Sequence, residues 1–308
     1  MLWACGEPQE ATTPPAGPVA PAETPPSTSP ANPPEEPPSD DPLHLGTRQT
    51  FEMGTWNIRN FPRDESCVPR VAALLRRMNL DVIALQEIAQ EKVFGDLLAE
   101  LPGYAGLLSD HVYATGEYQK LGLIYRQDQV RVLGFELLFR TESYVFPRPP
   151  LQVSLEVTRS DGTPWSLTVI VVHLKATGGL ENTDRRRRAC DRLKGYVDEL
   201  LRLTPEQDVV VLGDFNDDLA DAPRDNVFQG FLDAPERYRF ATQALVQQNE
   251  YSYIPSHLLP DHILLTSTVL PDLKDIRTKA VSVEKIVKDY SFLSEISDHR
   301  PIVTIGSF

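Results

Sequence analysis

The stretch VVVLGDFND at residues 209–217 decides how the rest of the chain is read. Four successive apolar residues, Val209 to Leu212, have the length and composition of a strand buried on both faces. Gly213 to Asn216 then place an acid and an amide on a tight turn at its end. A second fragment, SDHRP at 297–301, puts an aspartate and a histidine directly before another apolar run. A carboxylate that takes a proton, an amide that holds an oxyanion and an imidazole are the groups needed to aim a water at phosphorus. Together the two fragments imply phosphoester chemistry.

Around them, apolar periodicity predicts alternating elements. Phe51 to Trp56 reads as a strand ending at Asn57, Val71 to Met78 as a helix, and Asp81 to Leu85 as a buried strand ending at Gln86 and Glu87. Val93 to Leu101 reads as a helix closed by Pro102 and Gly103. Leu121 to Arg126 and Val130 to Phe139 read as neighbouring strands across a polar turn at Gln127 to Gln129. Leu151 to Thr158 and Leu167 to Leu174 read as a hairpin, and Asp184 to Leu203 as a helix with Asp184 as its N-cap. Ile263 to Thr266 and Ile302 to Ile305 are late strands. Because βαβ units alternate with hairpins, the order predicts an α/β fold of two mixed β-sheets face to face with helices outside.

Of the 27 prolines in this chain of 308 residues, 13 fall in residues 1–50, among Ala, Thr, Ser and Glu. That composition buries too little apolar surface to fold, so 1–50 is expected to be a disordered, extended tether and 51–308 a single domain. The net charge is −14; Glu7, Glu10, Glu23, Glu35, Glu36, Asp40 and Asp41 against Arg48 give the tether −6, which leaves −8 on the domain. Such a domain does not attract nucleic acid by net charge, so local Arg and Lys with a bound cation would have to hold a polyanion.

Leu2 to Gly6 resembles a bacterial lipobox, with Cys5 as the lipidated thiol and the Pro-rich segment giving reach. Only four residues precede Cys5, so the basic and apolar parts of a signal peptide are missing. The expectation is membrane attachment by lipid at Cys5 in an exported, cell-envelope or secreted protein, with a cytoplasmic location as the alternative. In an exported protein Cys67 and Cys190 could pair, and buried free thiols are the other reading. No other run is long and apolar enough to span a bilayer, and a monomer is the default.

The polar residues gather at strand ends. Asn57, Glu87, His173 and Asp214 lie at or just past the C-terminal end of an apolar run, whereas Asp261, Asp298 and His299 lie just before one. If the last two strands run antiparallel to the others, all of them converge on one rim. So much negative charge calls for a hard divalent cation, Mg²⁺ or Mn²⁺, since no Cys and His cluster has zinc spacing.

The motifs TWNIRNF (55–61), LQE (85–87), GLIYR (122–126), RPP (148–150), HLK (173–175), GDFND (213–217), DHILL (261–265) and SDHRP (297–301) run in order along the chain. In this set the sequence resembles the DNase I-like endonuclease/exonuclease/phosphatase superfamily. The resemblance implies a four-layered α/β sandwich and a metal-dependent phosphoesterase, with nucleic acid as substrate and DNA ahead of RNA. It implies Glu87 as the principal metal ligand, with Asn57 helping to hold metal and phosphate and Asp298 close to the same shell. It further implies His299 as the imidazole that orients or deprotonates the water and Asp261 as the carboxylate that fixes its tautomer. Asp214 and Asn216 would then position the water or stabilise the pentavalent phosphorus, and His173 and Arg148 would hold non-bridging phosphate oxygens.

The chain departs from the pattern in places. The DNase I branch has a Glu that supports the first histidine; here Gln119 stands in that place, with Leu121 where a Tyr is found. A Gln amide can orient His173 by hydrogen bonding but cannot carry its charge. Tyr118 is out of register with the Tyr of the exonuclease III branch, and Leu259 and Pro260 stand where an Arg often precedes the DHILL aspartate.

Each residue alone also has a structural reading. Asp214 can be a turn-former, Asn57 a cap, His173 a satisfied core histidine, and Glu87 the point where a strand reaches water. The run Arg185 to Arg188 reads as a solvated helix start pointing four ways, and Trp165 and Tyr144 as core residues. The order of the motifs favours function over these readings. Two alternatives stand beside the nuclease: a phospholipid, sphingomyelin or inositol phosphate phosphoesterase on the same fold, and a non-catalytic surface binding module.

Overall fold

Side chains alternate across a strand, so a continuous apolar run must be covered on both faces. The computed structural model, which describes residues 39–113, 116 and 118–308, meets that demand with two six-stranded mixed sheets packed face to face. Sheet one contains β1 (Thr50–Phe61), β2 (Val82–Ile88), β3 (Tyr104–Leu108), β4 (Lys120–Arg126), β11 (Lys274–Ala280) and β12 (Ile302–Ser307), in the order β11-β12-β1-β2-β4-β3. Sheet two contains β5 (Val130–Leu137), β6 (Leu151–Thr158), β7 (Pro164–His173), β8 (Asp208–Asp214), β9 (Tyr238–Phe240) and β10 (Asp261–Thr266), in the order β5-β6-β7-β8-β10-β9.

The parity of each strand sorts its residues into layers. Val169 and Val171 of β7 and Val210 and Leu212 of β8 face Met53, Val82, Ala84 and Leu123 of sheet one in the central core. Their neighbours Ile170, Val172, Val209 and Val211 point the other way, against Ala189, Leu193 and Val197 of helix α3 (Leu180–Leu203). On sheet one, Trp56, Ile58, Ile83 and Leu85 pack against helices α1 (Cys67–Met78) and α2 (Glu91–Ala99). The result is the four-layered α/β sandwich expected from the element order.

Strand direction sets the functional rim. β1 and β2 run parallel, as do β7 and β8, so Asn57, Glu87, His173 and Asp214 come to the same edge. β12 is antiparallel to β1 and β10 is antiparallel to β8, which brings the residues preceding them to that edge as well.

Several local expectations change. β4 and β5 are not neighbours: β4 pairs with β2 and β3, β5 pairs with β6, and Gln127 to Gln129 carry the chain from one sheet to the other. A short polar turn looks the same in sequence whether it closes a hairpin or crosses between sheets. α3 starts at Leu180 with Gly179 as N-cap, and Asp184 instead pairs with Arg188 at 2.7 Å, one helical turn on. Tyr144, expected in the core, is 51% exposed, whereas Trp165 is buried. Cys67 and Cys190 are free and buried.

The globular body also begins before residue 51. Leu43 is fully buried, Asp41 accepts from Arg77 Nε and Nη2 at 2.7 and 2.9 Å, and Leu45 N donates to Met78 O at 3.2 Å. Two leucines and an aspartate give this stretch what the Pro-rich segment before it lacks, an apolar anchor and a charge partner. The expected tether up to residue 38, with Cys5, lies outside the described residues. Among the described residues, no helix is long and apolar enough to cross a membrane.

One buried pair, Glu52 of β1 and Asp81 just before β2, sets a pH dependence. Glu52 is fully buried beside Asp81, whose Oδ2 accepts from Glu52 N at 3.0 Å. Burial, followed by the charge of Asp81, pushes the Glu52 carboxyl up to about 9. The folded acid keeps its proton to a higher pH than the unfolded one, so its stabilising protonated form is present in acid and lost as pH rises toward 9. Urea unfolding should therefore show stability falling between pH 6 and 9, by up to about 1.4 kcal/mol per pH unit for each proton retained. Glu52→Gln should flatten that slope; an unchanged slope in the variant contradicts the assignment.

Candidate active site

Two irregular turns aim the side chains at the rim. The pairing of β1 with β2 shifts register between Asn57 and Phe61, and that of β2 with β4 shifts between Leu85 and Ile88. Within these bulges Arg59, Asn60 and Glu87 adopt left-handed backbone, with φ of 46°, 49° and 65°. Left-handed backbone is strained for a glutamate and is found where a side chain must be re-aimed. At the end of β8, Gly213 has φ 149°, and a Cβ there would lie 2.0 Å from Val172 O on β7. Asn216, at φ 54°, closes the turn by donating its N–H to Asp214 Oδ1 at 2.8 Å. Phe215 between them packs on Phe228 and His262, which anchors the turn to the outer core.

Asn57 joins the sheets. Its Nδ2 donates to Glu87 Oε1 at 3.1 Å and to Asp214 Oδ2 at 2.9 Å, and its Oδ1 accepts from Arg59 N at 2.9 Å. Glu87 Oε2 accepts from Asn60 N at 2.9 Å. Opposite them, His299 Nδ1 lies 2.7 Å from Asp261 Oδ2, which also accepts from Ser252 Oγ at 2.6 Å. With Asp261 as its acceptor, Nδ1 carries a proton and Nε2 is left for the cleft. Trp56 Nε1 holds the His299 carbonyl at 3.0 Å, and Ser297 Oγ donates to Asn57 O at 2.6 Å. Asp298 Oδ2 sits 3.2 Å from Arg59 Nε.

The electrostatics reflect crowded acids. Burial, then the charge of Asp261, pushes Asp214 up to about 7, against the pull of His299 and Asn57. Burial alone would lower His299, but Asp261, Asp214 and Asp298 outweigh it and hold the imidazole up at about 9. His173 is driven well below the usual histidine range by burial and by Arg148. Asp214, Asp261 and His299 place one ligand atom each within 4.8 Å of one another. Asp261 is fully buried behind His299, whereas Glu87, Asn57 and Asp298 line the cleft, so theirs are the oxygen groups that would hold a hard cation there. A cation there would relieve the charge that raises Asp214, and an oxygen-rich donor set with one unpartnered buried oxygen, Asp261 Oδ1, fits Mg²⁺ or Mn²⁺.

These groups border a cleft of about 670 Å³. Asn57, Glu87, Asp214, Asn216, Asp298 and His299 reach its surface, as expected from sequence, and Asp261 stands behind His299. Two expected phosphate contacts are placed differently. Arg148 lies within the wall, donating to Leu174 O at 3.2 Å and to Gln119 Oε1. His173 is buried, with Nε2 3.6 Å from Asp214 and 3.8 Å from Glu87. Gln119 does not orient His173; its amide is taken by Arg148 and Asn60.

Among the cleft residues the sequence did not single out are Arg59, Asn60, Tyr253 and Arg186. Arg186, from the run expected to be solvated, is 5% exposed: Nε donates to Asp217 Oδ2 at 2.6 Å, and Nη1 to Lys175 O and Thr177 O at 3.0 and 2.9 Å. The second aspartate of GDFND was the available signal, since a buried acid needs a partner. Asp217, Asp218 and Asp221 line the same side of the cleft.

The sequence pattern that defines the Endonuclease/Exonuclease/phosphatase family matches residues 54–299. The chain belongs to this family. Members of the Endonuclease/Exonuclease/phosphatase family are phosphoesterases and are generally dependent on a divalent metal. Solved structures share the fold at low identity. A D. rerio TDP2 humanized by 14 mutations is 18% identical, with a TM-score of 0.61, over 84% of this chain and 100% of that one. A mannosyl-6-phosphatase of Bacteroides thetaiotaomicron is 14% identical, with a TM-score of 0.60, over 84% and 100%. The human Nocturnin catalytic domain, solved with a bound sulfate anion, is 17% identical, with a TM-score of 0.60, over 86% and 96%. No curated protein matches the sequence.

The close approach at Gly213 gives a direct check on the turn. Gly213→Ala should lower unfolding stability by at least about 2 kcal/mol, whereas Gly178→Ala, where an added Cβ meets nothing within 4 Å, should stay within about 0.5 kcal/mol. Equal stabilities for the two variants contradict the account of the β7–β8 contact.

Proposed function

We propose that the chain is a divalent-metal-dependent phosphodiesterase that cleaves by attack of water on phosphorus, with nucleic acid, DNA ahead of RNA, as its substrate. The observation that carries this reading is the convergence of two sets on one cleft: Glu87 with Asn57, and His299 backed by Asp261. A divalent cation held by Glu87, with Asn57 and Asp298, would supply Lewis acidity and orient the phosphate. In its neutral form His299 takes a proton from the attacking water at Nε2, while Asp261, fixed by Ser252, keeps the other ring proton on Nδ1. Arg59 and the Asn216 amide, both at the cleft surface, face the charge that develops on the phosphate oxygens.

A second reading, a small phosphate ester, is favoured by the acidic flank of Asp217, Asp218 and Asp221, which repels a long polyanion. The fold neighbour titled a mannosyl-6-phosphatase is in keeping with it. The same proposal places the domain at the cell envelope, held by lipid on Cys5 and a Pro-rich tether.

Plasmid DNA, RNA, bis(p-nitrophenyl) phosphate and mannose 6-phosphate, each assayed with Mg²⁺ and with EDTA, separate these readings. Chelator-sensitive cleavage of the diesters is expected; turnover of the monoester alone would favour the second reading, and none at all would sink both. His299→Ala should lower kcat about a thousandfold at an unchanged Tm, and Glu87→Gln should abolish the Mg²⁺ requirement together with activity. Full activity in His299→Ala contradicts its role as base.

A further inference from the structure

Gln119 stands just before β4, where the DNase I branch has a glutamate. Its Oε1 accepts from Arg148 Nη2 and its Nε2 donates to Asn60 Oδ1 at 2.6 Å. A guanidinium only donates, so the amide oxygen must face Arg148, which turns the amide nitrogen toward Asn60. Arg148 Nη1 donates to Leu174 O at 3.2 Å, and Asn60 N donates to Glu87 Oε2 at 2.9 Å. An unbroken chain of hydrogen bonds therefore runs from the end of β7 in sheet two, through Arg148, Gln119 and Asn60, to Glu87 in sheet one.

In the turn at the far end of this chain, Arg59 is tied by Asn57 Oδ1 and Asp298, and the Asn60 side chain is tied by Gln119. Asn60 and Glu87 are both left-handed, and both lie where the strand ladders of β1 and β2 shift register. Strained backbone keeps its conformation only when surrounding contacts fix it. The Asn60 side chain supplies such a contact through Gln119, and Arg148, buried in the wall, gives Gln119 a fixed partner.

We propose that Gln119 is a positioning residue that aims Glu87, and with it the divalent-cation site, by bracing the Asn60 turn against Arg148. The inference rests on the cation reading given under the proposed function. It makes Gln119 neutral bracing between the sheets, in place of a charged partner for His173.

Calorimetric titration of Mn²⁺ into the full chain tests it, with wild type, Gln119→Ala, Asn60→Ala, the double variant and Gln119→Glu. Each alanine variant should weaken Mn²⁺ binding about tenfold, as loss of a supporting contact does to metal ligands. The double variant should be no weaker than the weaker single one, because both remove the same link. Gln119→Glu keeps the bond to Arg148 and lets Asn60 turn its amide to donate, so its Kd should stay within about threefold of wild type. Unchanged Kd in Gln119→Ala, or penalties that simply add in the double variant, overturns the positioning role alone. A wild-type chain that takes up no Mn²⁺ overturns the cation reading and the positioning role with it.

Discussion

Two sheets that bring a buried carboxylate, Asp214, and a half-buried one, Glu87, to the same rim need something between the acids to bridge or neutralise them. In this fold the bridge is the Asn57 amide, which donates to Glu87 on its own sheet and to Asp214 on the other. The imidazole at the same rim is His299, whose charged form is favoured by Asp261, Asp214 and Asp298 against the cost of burial. Remove the bridge and the buried Asp214 faces the half-buried Glu87 with no donor between them, which leaves a buried acceptor unsatisfied. The packing of the sheets and the chemistry of the rim are therefore one problem, solved by the same residues.

The supporting contacts follow from that problem. Ser252 and His299 hold Asp261 Oδ2, Ser297 holds Asn57 O, and Trp56 holds the His299 carbonyl, so Asp261, Asn57 and His299 are each fixed by a neighbour. Rigid placement of this kind is what lets an electrostatic site act without reorganising. The opposite flank is built differently. Arg186 draws the loop carrying Lys175 and Thr177 onto Asp217, leaving Asp218 and Asp221 at the cleft edge.

What the sequence revealed and what it hid divide along physical lines. Strand ends were legible because apolar runs have a period and stop at polar residues: Asn57, Glu87, Asp214 and His299 were placed correctly on one rim. The edge strand Lys274–Ala280 was not, since its alternation of charged and apolar residues, KDIRTKA, resembles a solvated loop. The sheet change between Arg126 and Val130 was hidden because pairing partners are chosen by distant residues, Val130 by Val157. Arg148, which kept the motif, and Gln119, which departs from it, make contacts the sequence did not reveal: Arg148 donates to Leu174 O and Gln119, and Gln119 donates to Asn60, as only the three-dimensional register of Asn60 and Leu174 decides. Arg186 was misjudged because a run of four arginines conceals the one whose helical phase faces inward.

The central claim is that the far-apart strand ends assemble around a single hard cation. A crystal soaked in Mn²⁺ and measured at the manganese absorption edge tests it most directly. The account predicts one strong anomalous peak in the cleft, within bonding distance of a Glu87 carboxylate oxygen. Density at that carboxylate with no anomalous signal, or a peak bound elsewhere on the surface, would contradict it.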